Sequence, residues 1–254
     1  MVPQTPPSQS SLELLRESNP QVAIASAVND TDVVFTGSGS QGSALAMDKD
    51  ISKRLFRAAG ILTPDWIMAP GQPRDGEAVL VYPVIVKPNS QGSTIGLSLV
   101  RGASDLDSAV STAASYGDAI IEQFVPGREL TVGVLDGQAL AAGEVLLERN
   151  SVFSYEEEYQ AGAVKEVLPA QIPADVEEEA KRVALFAHNC LKLHDYGRSD
   201  FRLGDDGRLW LIEVNTLPGL TATSLLPQSA AAAGIDYPTL CEQICTLALR
   251  RSDH

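Results

Sequence analysis

The chain has 254 residues, of which 44% are hydrophobic and 20% charged, and its formal net charge is −14. This composition predicts a globular protein with more than one hydrophobic core, and the negative charge argues against non-specific binding to nucleic acid or anionic membranes. No apolar run approaches the ~20 residues that span a bilayer. Three cysteines without the spacing of a disulfide framework predict reduced thiols in a cytoplasmic protein.

The N-terminal segment 1–11 is rich in Pro, Ser and Gln, a composition typical of disorder. It has neither the basic nor the apolar region of a secretory signal. A short helix is predicted at 11–18 and a short strand at 32–35.

An amphipathic helix is predicted over 48–59. Its apolar residues Ile51, Leu55 and Ala58 are expected to face inward, and Gly60 is expected to end it.

Residues 64–83 are predicted to be mostly loop, and beyond them strands and helices alternate irregularly. The predicted strands lie at 84–86, 97–100, 119–124, 129–135 and 139–147. The predicted helices lie at 104–116, with Ser104 as its N-cap, and at 174–193, 226–233 and 237–250. Because antiparallel hairpins are prominent, the expected fold class is α+β rather than a doubly wound parallel sheet.

A hairpin near the end of the chain carries the strongest chemical signal. Two short strands flank a turn at 204–207, and side chains alternate along a strand, which places Arg198 with Asp200 on one face. On the return strand Glu213 and Asn215 are expected to share a face with Leu211. We expect Leu211 to lie opposite Asp200, with Glu213 as the diagonal neighbour within side-chain reach.

Two carboxylates and an amide oxygen, without a thiol or imidazole, are typical ligands of a hard cation. The hairpin therefore predicts a Mg²⁺ site, with Mn²⁺ as an alternative, and substrate phosphates as further ligands. A solvated acidic edge is the other interpretation of the same residues.

A glycine-bearing loop at 89–96 follows a buried strand that ends in Lys87. Gly92 allows the backbone to approach an anion closely, and the Ser93 and Thr94 hydroxyls add hydrogen-bond donors. The loop lacks the Gly-Lys-Ser/Thr ending of a Walker motif. Together with a magnesium site it predicts a clamp for nucleotide phosphates, whereas alone it could be a flexible hairpin.

Six segments together resemble the D-alanine–D-alanine ligase family of ATP-grasp enzymes. They are SALAMDK (43–49), VIVKPNSQGSTIG (84–96), IIEQFVPGRELTVGVL (120–135), YEEEY (155–159), YGRSDFRL (196–203) and EVNTLPGLTATSL (213–225). The resemblance implies an ATP-grasp fold, in which ATP lies between two α+β subdomains. It divides the chain into a remnant of an N-terminal domain at 1–42, a central subdomain at 43–124 and a C-terminal subdomain at 125–254.

The resemblance also implies an ATP-dependent ligation in peptidoglycan synthesis. A carboxylate of a small amino acid is phosphorylated by ATP, and an amine then attacks the acyl phosphate to form an amide. The nucleotide is held by Lys49, Lys87, Gly92, Ser93, Glu122, Gln123, Phe124, Val125 and Glu129. From the residues alone, Glu122 at a strand end could equally be an exposed charge.

For the reacting groups the resemblance implies a second set of residues. Asp200, Glu213 and Asn215 bind two Mg²⁺ ions, and Arg198 with the backbone amide of Gly219 stabilises the acyl phosphate and the tetrahedral intermediate. Ser93 and Tyr159 correspond to the family's serine and tyrosine that close the active site and position the amine-bearing substrate. The pair that receives the second substrate's carboxylate corresponds to Ser224 and Leu225. From sequence alone, Ser224 could equally be a helix cap, and Tyr159 could be a packing residue in its loop.

The chain departs from the family pattern at two places. Glu158 stands where the family has a lysine that reaches the phosphates, and Lys165 is the nearby cation that could substitute. Only 42 residues precede Ser43, so most of the family's N-terminal domain and its first-substrate pocket are expected to be missing. These departures favour an alternative function, a non-catalytic ATP-binding sensor or partner subunit. A homodimer, or another chain that supplies the missing pocket, is a further expectation.

Overall fold

The computed structural model describes residues 34–69, 80–146 and 165–252. Its helices are α1 (Ser40–Met47), α2 (Lys49–Ala58), α3 (Leu106–Ala114), α4 (Ala174–Cys190), α5 (Leu225–Ala232) and α6 (Tyr237–Ser252), with a 3-10 turn at Ala103–Asp105. Its strands are β1 (Trp66–Ala69), β2 (Val84–Pro88), β3 (Ser98–Val100), β4 (Ala119–Gln123), β5 (Gly127–Leu135), β6 (Gln138–Leu146), β7 (Lys165–Val167), β8 (Tyr196–Gly204) and β9 (Leu209–Asn215).

The strands form two antiparallel sheets. The smaller has four strands in the order β1-β4-β2-β3, and the larger has five in the order β7-β6-β5-β8-β9. Helices pack on both sheets and no parallel pairing occurs among the described strands. The predicted α+β class is confirmed.

The smaller sheet packs one face on α3 and carries buried charges among apolar residues on the other. Val86 and Ile121 pack against Ala109 and Ala113, which both lie in α3. Because neighbouring residues of a strand point to opposite faces, Lys87 of β2 lies on the other face of this sheet together with Glu122 of β4. The register places Glu122 opposite both Trp66 and Ile85.

The larger sheet packs its inner face on α4, where Leu130, Val132 and Phe201 join the same core as Ala180 and Ala187. Its opposite face is covered at one end by α5 and α6. That second core consists of Leu135, Leu140, Tyr196, Leu226, Ala230, Leu240 and Ile244.

The helix α2 joins the two sheets. Its Phe56 belongs to the core of the larger sheet, whereas its Lys53 forms an ion pair with Glu122 of the smaller sheet. The smaller sheet ends at Gln123 and the larger begins at Gly127. The division into subdomains after residue 124 stays a prediction.

The inward face of α2 was predicted correctly for Leu55, which packs against the core of the larger sheet, and wrongly for Ile51 and Ala58. The side chain of Ile51 is 41% exposed and Ala58 is exposed, while Lys53 and Phe56 are fully buried. The helical period placed the apolar residues inward, but Lys53 is buried because its charge has a partner in another element. Asp48 caps this helix by accepting from the Ile51 amide, and Gly60 follows it with a φ of +78°, as predicted.

Three smaller predictions were also wrong, and others fall outside the described residues. The stretch predicted as loop contains β1, and Ser104 lies inside the 3-10 turn that precedes α3 rather than capping a helix. Val34 and Phe35, the described part of the strand predicted at 32–35, are not in a strand. The helix predicted at 11–18, Glu158 and Tyr159 lie outside the described residues.

Candidate functional site

The acidic hairpin is more tightly organised than its sequence predicts. Asp200 lies directly opposite Glu213, and Arg198 lies opposite Asn215. The prediction that Leu211 faces Asp200 is wrong, because the register shifts next to Asp200 and Leu211 instead pairs with Phe201. A bulge of this kind adds one residue to one strand and reverses the faces of the residues that follow.

The bulge determines which side chains of β9 lie on each face of the sheet. Leu211 and Val214 both join the core beneath the sheet, although they are three residues apart and a regular strand would separate their faces. Glu213 is thereby directed to the polar face beside Asp200. Directly opposed residues of a strand pair have Cβ atoms about 4.5–5.5 Å apart, so the two carboxylates are close neighbours.

Cations surround both carboxylates. Arg198 donates to both oxygens of Asp200, from Nε at 2.9 Å and from Nη2 at 2.8 Å, and the Thr131 hydroxyl lies 2.8 Å from Oδ1. Lys49 Nζ lies 3.3 Å from Glu213 Oε2. Burial opposes ionisation of Glu213, but Lys49, Lys87 and Arg198 lower its pKa below the usual range.

The hairpin residues fit a magnesium site only if further ligands come from outside the chain. In the ranges that the structure describes, no group of three or more His, Cys, Asp or Glu side chains is placed to hold a metal. Asn215 adds an amide oxygen on the same face, and that oxygen also accepts from the Leu217 amide at 3.0 Å. Two carboxylates and one amide oxygen match the partial ligand set of Mg²⁺ bound together with phosphates.

Lys49, the first residue of α2, links the glycine-bearing loop to this hairpin. Lys49 Nζ donates to the Gln91 carbonyl at 2.6 Å, and the Lys49 amide donates to the Asn89 carbonyl at 3.1 Å. Ser93 and Thr94 have φ values of 52° and 53°, a left-handed conformation that is uncommon for residues with side chains and is concentrated at functional sites. Nothing lies within 4 Å of a Cβ built on Gly92, so this part of the loop is open.

Glu122 lies in a buried cluster of charges on the face of the smaller sheet opposite α3. Its Oε1 is 3.0 Å from Lys87 Nζ and its Oε2 is 2.7 Å from Lys53 Nζ. Burial opposes ionisation of Glu122, yet the two lysines lower its pKa to about 2. Glu122 is therefore a fixed, ionised hydrogen-bond acceptor and not the exposed strand end that was the alternative.

Lys53 is the residue of this cluster that sequence reasoning missed. Lys49 and Lys53 are four residues apart in α2, a spacing that places both side chains on one helix face. This spacing is a signal in the sequence, but the apolar stripe favours Ile51 as the inward residue.

The residues that follow β4 are held from the larger sheet. Arg202 donates to the carbonyls of Val125 at 3.1 Å and Gly127 at 3.0 Å, lies 3.3 Å from Glu129 Oε2, and stacks 5.5 Å from the Phe124 ring centroid. Burial raises the pKa of Glu129 to about 7, with Arg202 opposing the shift.

Gln123 is less suited to a direct role in binding. Its side chain accepts from the Val81 amide at 2.9 Å and donates to the Val81 carbonyl at 2.8 Å. This pair of hydrogen bonds ties the segment before β2 to the end of β4.

Gly219 and Ser224 meet at the start of α5. Ser224 precedes the helix but makes no capping hydrogen bond, and its hydroxyl instead accepts from the Thr221 amide at 3.2 Å and lies 2.7 Å from the Thr221 hydroxyl. A Cβ built on Gly219 would lie 2.7 Å from this Ser224 hydroxyl. The Ser224 side chain therefore does not cap the backbone amides in the first turn of α5, which begins at Leu225.

Taken together, the described parts of the predicted site are two polar surfaces. Lys87 and Glu122 lie on the smaller sheet, the acidic hairpin lies on the larger, and Lys49 contacts both the glycine-bearing loop and Glu213. Lys165, the cation proposed to compensate for Glu158, begins β7 and is exposed. No helix in the described ranges is both long and apolar enough to cross a membrane.

Comparisons with known proteins show which family the chain resembles. Residues 55–246 match the family model described as D-ala D-ala ligase C-terminus. A D-alanine–D-alanine ligase of Nitratidesulfovibrio vulgaris is 44% identical over 217 residues, covering 85% of this chain and 72% of that protein. One from Desulfotalea psychrophila is 42% identical over 230 residues, covering 87% and 71%. The crystal structure of the Bacillus anthracis enzyme complexed with ATP matches with a TM-score of 0.77 at 31% identity, covering 91% of this chain and 75% of that one.

Proposed function

The chain belongs to the D-alanine–D-alanine ligase family of ATP-dependent ligases, and we propose from this premise that it joins two D-alanine molecules into a dipeptide for peptidoglycan synthesis. The contact of Lys49 with both Gln91 and Glu213 carries the proposal. It brings a loop suited to phosphates and a hairpin suited to a divalent ion to the same ammonium group.

ATP lies between the two sheets in this proposal. Lys87 and Glu122 face the base, and the segment from Gln123 to Val125 follows its edge, with backbone groups as the contacts. Glu129 accepts from the ribose hydroxyls. Lys49 and the loop around Gly92 and Ser93 bind the phosphates, since cations and backbone amides stabilise the charge of a phosphoryl group in transfer.

Asp200, Glu213 and Asn215 would hold Mg²⁺, or Mn²⁺ in its place. The bound ion would neutralise phosphate charge and fix the orientation of the phosphate oxygens.

The chain's own residues then serve a two-step reaction. The carboxylate of the first amino acid attacks the γ-phosphorus, which gives an acyl phosphate and ADP. The amine of the second attacks the acyl carbon, and phosphate leaves as the amine loses a proton, which gives the amide. In this proposal Arg198 and the Gly219 amide stabilise the negative charge that develops on the transferred phosphoryl group and on the tetrahedral oxygen.

The second amino acid is held by its carboxylate in this proposal. The hydroxyl of Ser224 and the uncapped amides at Leu225 offer donors at a helix N-terminus, where an anion is favoured. By the family resemblance, Ser93 and Tyr159 would position the amine of this amino acid. A dimer, or a further chain that completes the first-substrate pocket, and a cytoplasmic location belong to the same proposal.

The direct test is ADP release with ATP, magnesium and a panel of D- and L-amino acids, with products identified by mass spectrometry. We expect turnover to depend on D-alanine. Arg198→Ala and Asp200→Asn should lower kcat by about 100-fold or more, because each alters the groups at the developing charge.

Arg182→Ala is the matched control, since Arg182 lies on the exposed side of α4 and pairs only with Glu179 among the contacts described. Its kcat should equal that of the parent chain. Tight ATP binding without amino-acid-dependent turnover would instead identify a non-catalytic nucleotide-binding protein.

A further inference from the structure

Lys53 has no place in the function proposed above, although it is one of the most deeply buried charges described. Its side chain is 0% exposed. Its Nζ contacts Glu122 Oε2 at 2.7 Å and the Thr63 hydroxyl at 2.5 Å, and lies 5.2 Å from the Trp66 ring centroid. A buried ammonium group costs several kcal/mol of desolvation unless it is well paired, so its presence calls for an explanation.

The two oxygens of Glu122 are held from two different elements. Lys53 approaches Oε2 from α2, and Lys87 approaches Oε1 from β2 at 3.0 Å. Glu122 itself lies in β4, which is an inner strand of its sheet. The ion pairs at both oxygens limit the orientation of the carboxylate, and Oε2, which has no hydrogen-bond partner among the described residues, remains an acceptor in a fixed position.

The charges in this cluster do not cancel. Two ammonium groups face one carboxylate, whereas the charge of the nearby Arg57 is paired with Asp65 at 2.6 Å. Burial lowers the pKa of Lys53 to about 8 against the raising effect of Glu122, so the lysine is still mainly protonated at neutral pH. Without Lys53, Glu122 would neutralise Lys87, whose charge is otherwise available to a bound nucleotide.

We propose that Lys53 is a positioning residue for base selectivity: it fixes Glu122 as an acceptor for the 6-amino group of adenine and leaves the charge of Lys87 for the nucleotide. The proposal rests on the nucleotide pose proposed above. A fixed carboxylate accepts from a 6-amino purine and repels a 6-oxo purine, whose oxygen is also an acceptor. Selectivity arises because a mismatched polar group is left unpaired in a buried site.

The test compares binding of ATP and inosine 5′-triphosphate by calorimetry, which requires no ligation. In Lys53→Met we expect ATP affinity to fall about tenfold or more, since a hydrogen bond between the base and a charged, fixed acceptor is lost. We expect the preference for ATP over inosine 5′-triphosphate to fall by a similar factor. Thr63→Val is the matched control, because it removes the other partner of Lys53 Nζ and leaves the ion pair with Glu122 in place.

A structural role alone gives a different result. If Lys53 only holds α2 to the smaller sheet, Lys53→Met lowers the melting temperature but leaves the ratio of the two affinities unchanged, and the proposal is overturned. Should Lys53→Met fail to fold, the double variant Lys53→Met/Glu122→Gln removes both buried charges. Its nucleotide preference should equal that of Glu122→Gln alone, and a further loss of preference in the double variant also overturns the proposal.

The result is separable from the fate of the proposed function. A chain that shows no amino-acid-dependent ADP release but whose ATP preference depends on Lys53 refutes the ligation and supports the role of Lys53. Normal ligation by the parent chain, with an unchanged nucleotide preference in Lys53→Met, supports the ligation and refutes the role of Lys53.

Discussion

The two ends of the proposed nucleotide site differ in exposure. At the base end, Lys53 and Glu122 are 0% and 3% exposed, and both are ion-paired within the protein. At the reacting end, Arg198 and Asp200 are 19% and 17% exposed, and the loop before α5 is more exposed still. The base end is thus completed during folding, whereas the reacting end keeps polar surface that incoming substrates can cover.

This difference separates affinity from turnover. Groups fixed before binding interact equally with bound ATP and with the transition state, and such uniform binding acts on KM. Groups aimed at developing charge act on kcat. Substitutions at the two ends should therefore produce distinct kinetic signatures.

The largest expected effect is on stability, at the strand that carries Glu129. Gly127 has a φ of +139°, and a Cβ built on it would lie 2.0 Å from the Leu203 carbonyl oxygen. Gly127→Ala should lower the free energy of unfolding by about 3 kcal/mol or more, because a backbone clash adds to the strain of this φ. Urea unfolding measures the loss.

Gly137→Ala is the control for the clash. Gly137 also has a positive φ, +67°, but nothing lies within 4 Å of its Cβ position. Its alanine variant should lose only about 1–2 kcal/mol. Equal losses at the two positions would show that φ strain, and not the approach of β5 to β8, makes Gly127 necessary.

The next effect sharpens the contrast between the two ends. Glu213→Gln removes a carboxylate from the acidic hairpin and should lower kcat by about 100-fold. Glu122→Gln should instead raise the KM for ATP about tenfold and change kcat much less, because it alters a contact present before and during reaction. Steady-state kinetics with ATP varied at saturating amino acid checks both. A fall in kcat for Glu122→Gln as large as that for Glu213→Gln would refute the distinction.

The sequence was sufficient to bring the polar groups of the acidic hairpin together. Alternation along β8 placed Arg198 with Asp200, and the return strand supplied Glu213 and Asn215 within reach. These residues are close in sequence and a hairpin brings them together, so local rules suffice. The bulge could not be predicted, because the turn length fits both registers and only the packing of Leu211 in the core decides between them.

The base end was harder to predict because its contacts are distant in sequence. Lys53 and Glu122 belong to α2 and β4, and neither position indicates the other. Helical periodicity favoured Ile51 as the inward residue, yet Ile51 is 41% exposed and Lys53 is buried with its ion-pair partner. A rule based on apolar pattern treats every lysine as exposed and fails wherever a charge is buried with its partner.

The smallest effect expected is a pH dependence at Glu129, which lies between the two ends. Burial raises its pKa to about 7, above the ~4.3 of an unperturbed glutamate. The folded chain therefore retains a proton that the unfolded chain releases, and its stability falls as pH rises from about 4.3 to about 7. Glu129→Gln removes this dependence, while Arg202 keeps the Val125 and Gly127 carbonyls as partners.

The free energy of unfolding of Glu129→Gln, relative to the parent chain, should rise by about 1 kcal/mol between pH 5 and pH 7.5. The increment is modest because the Glu129 side chain is 23% exposed and solvent screens its charge. Urea unfolding at the two pH values measures it. A difference that stays constant with pH would mean that Arg202 keeps Glu129 ionised throughout, and Glu129 would then belong with the fully paired base end.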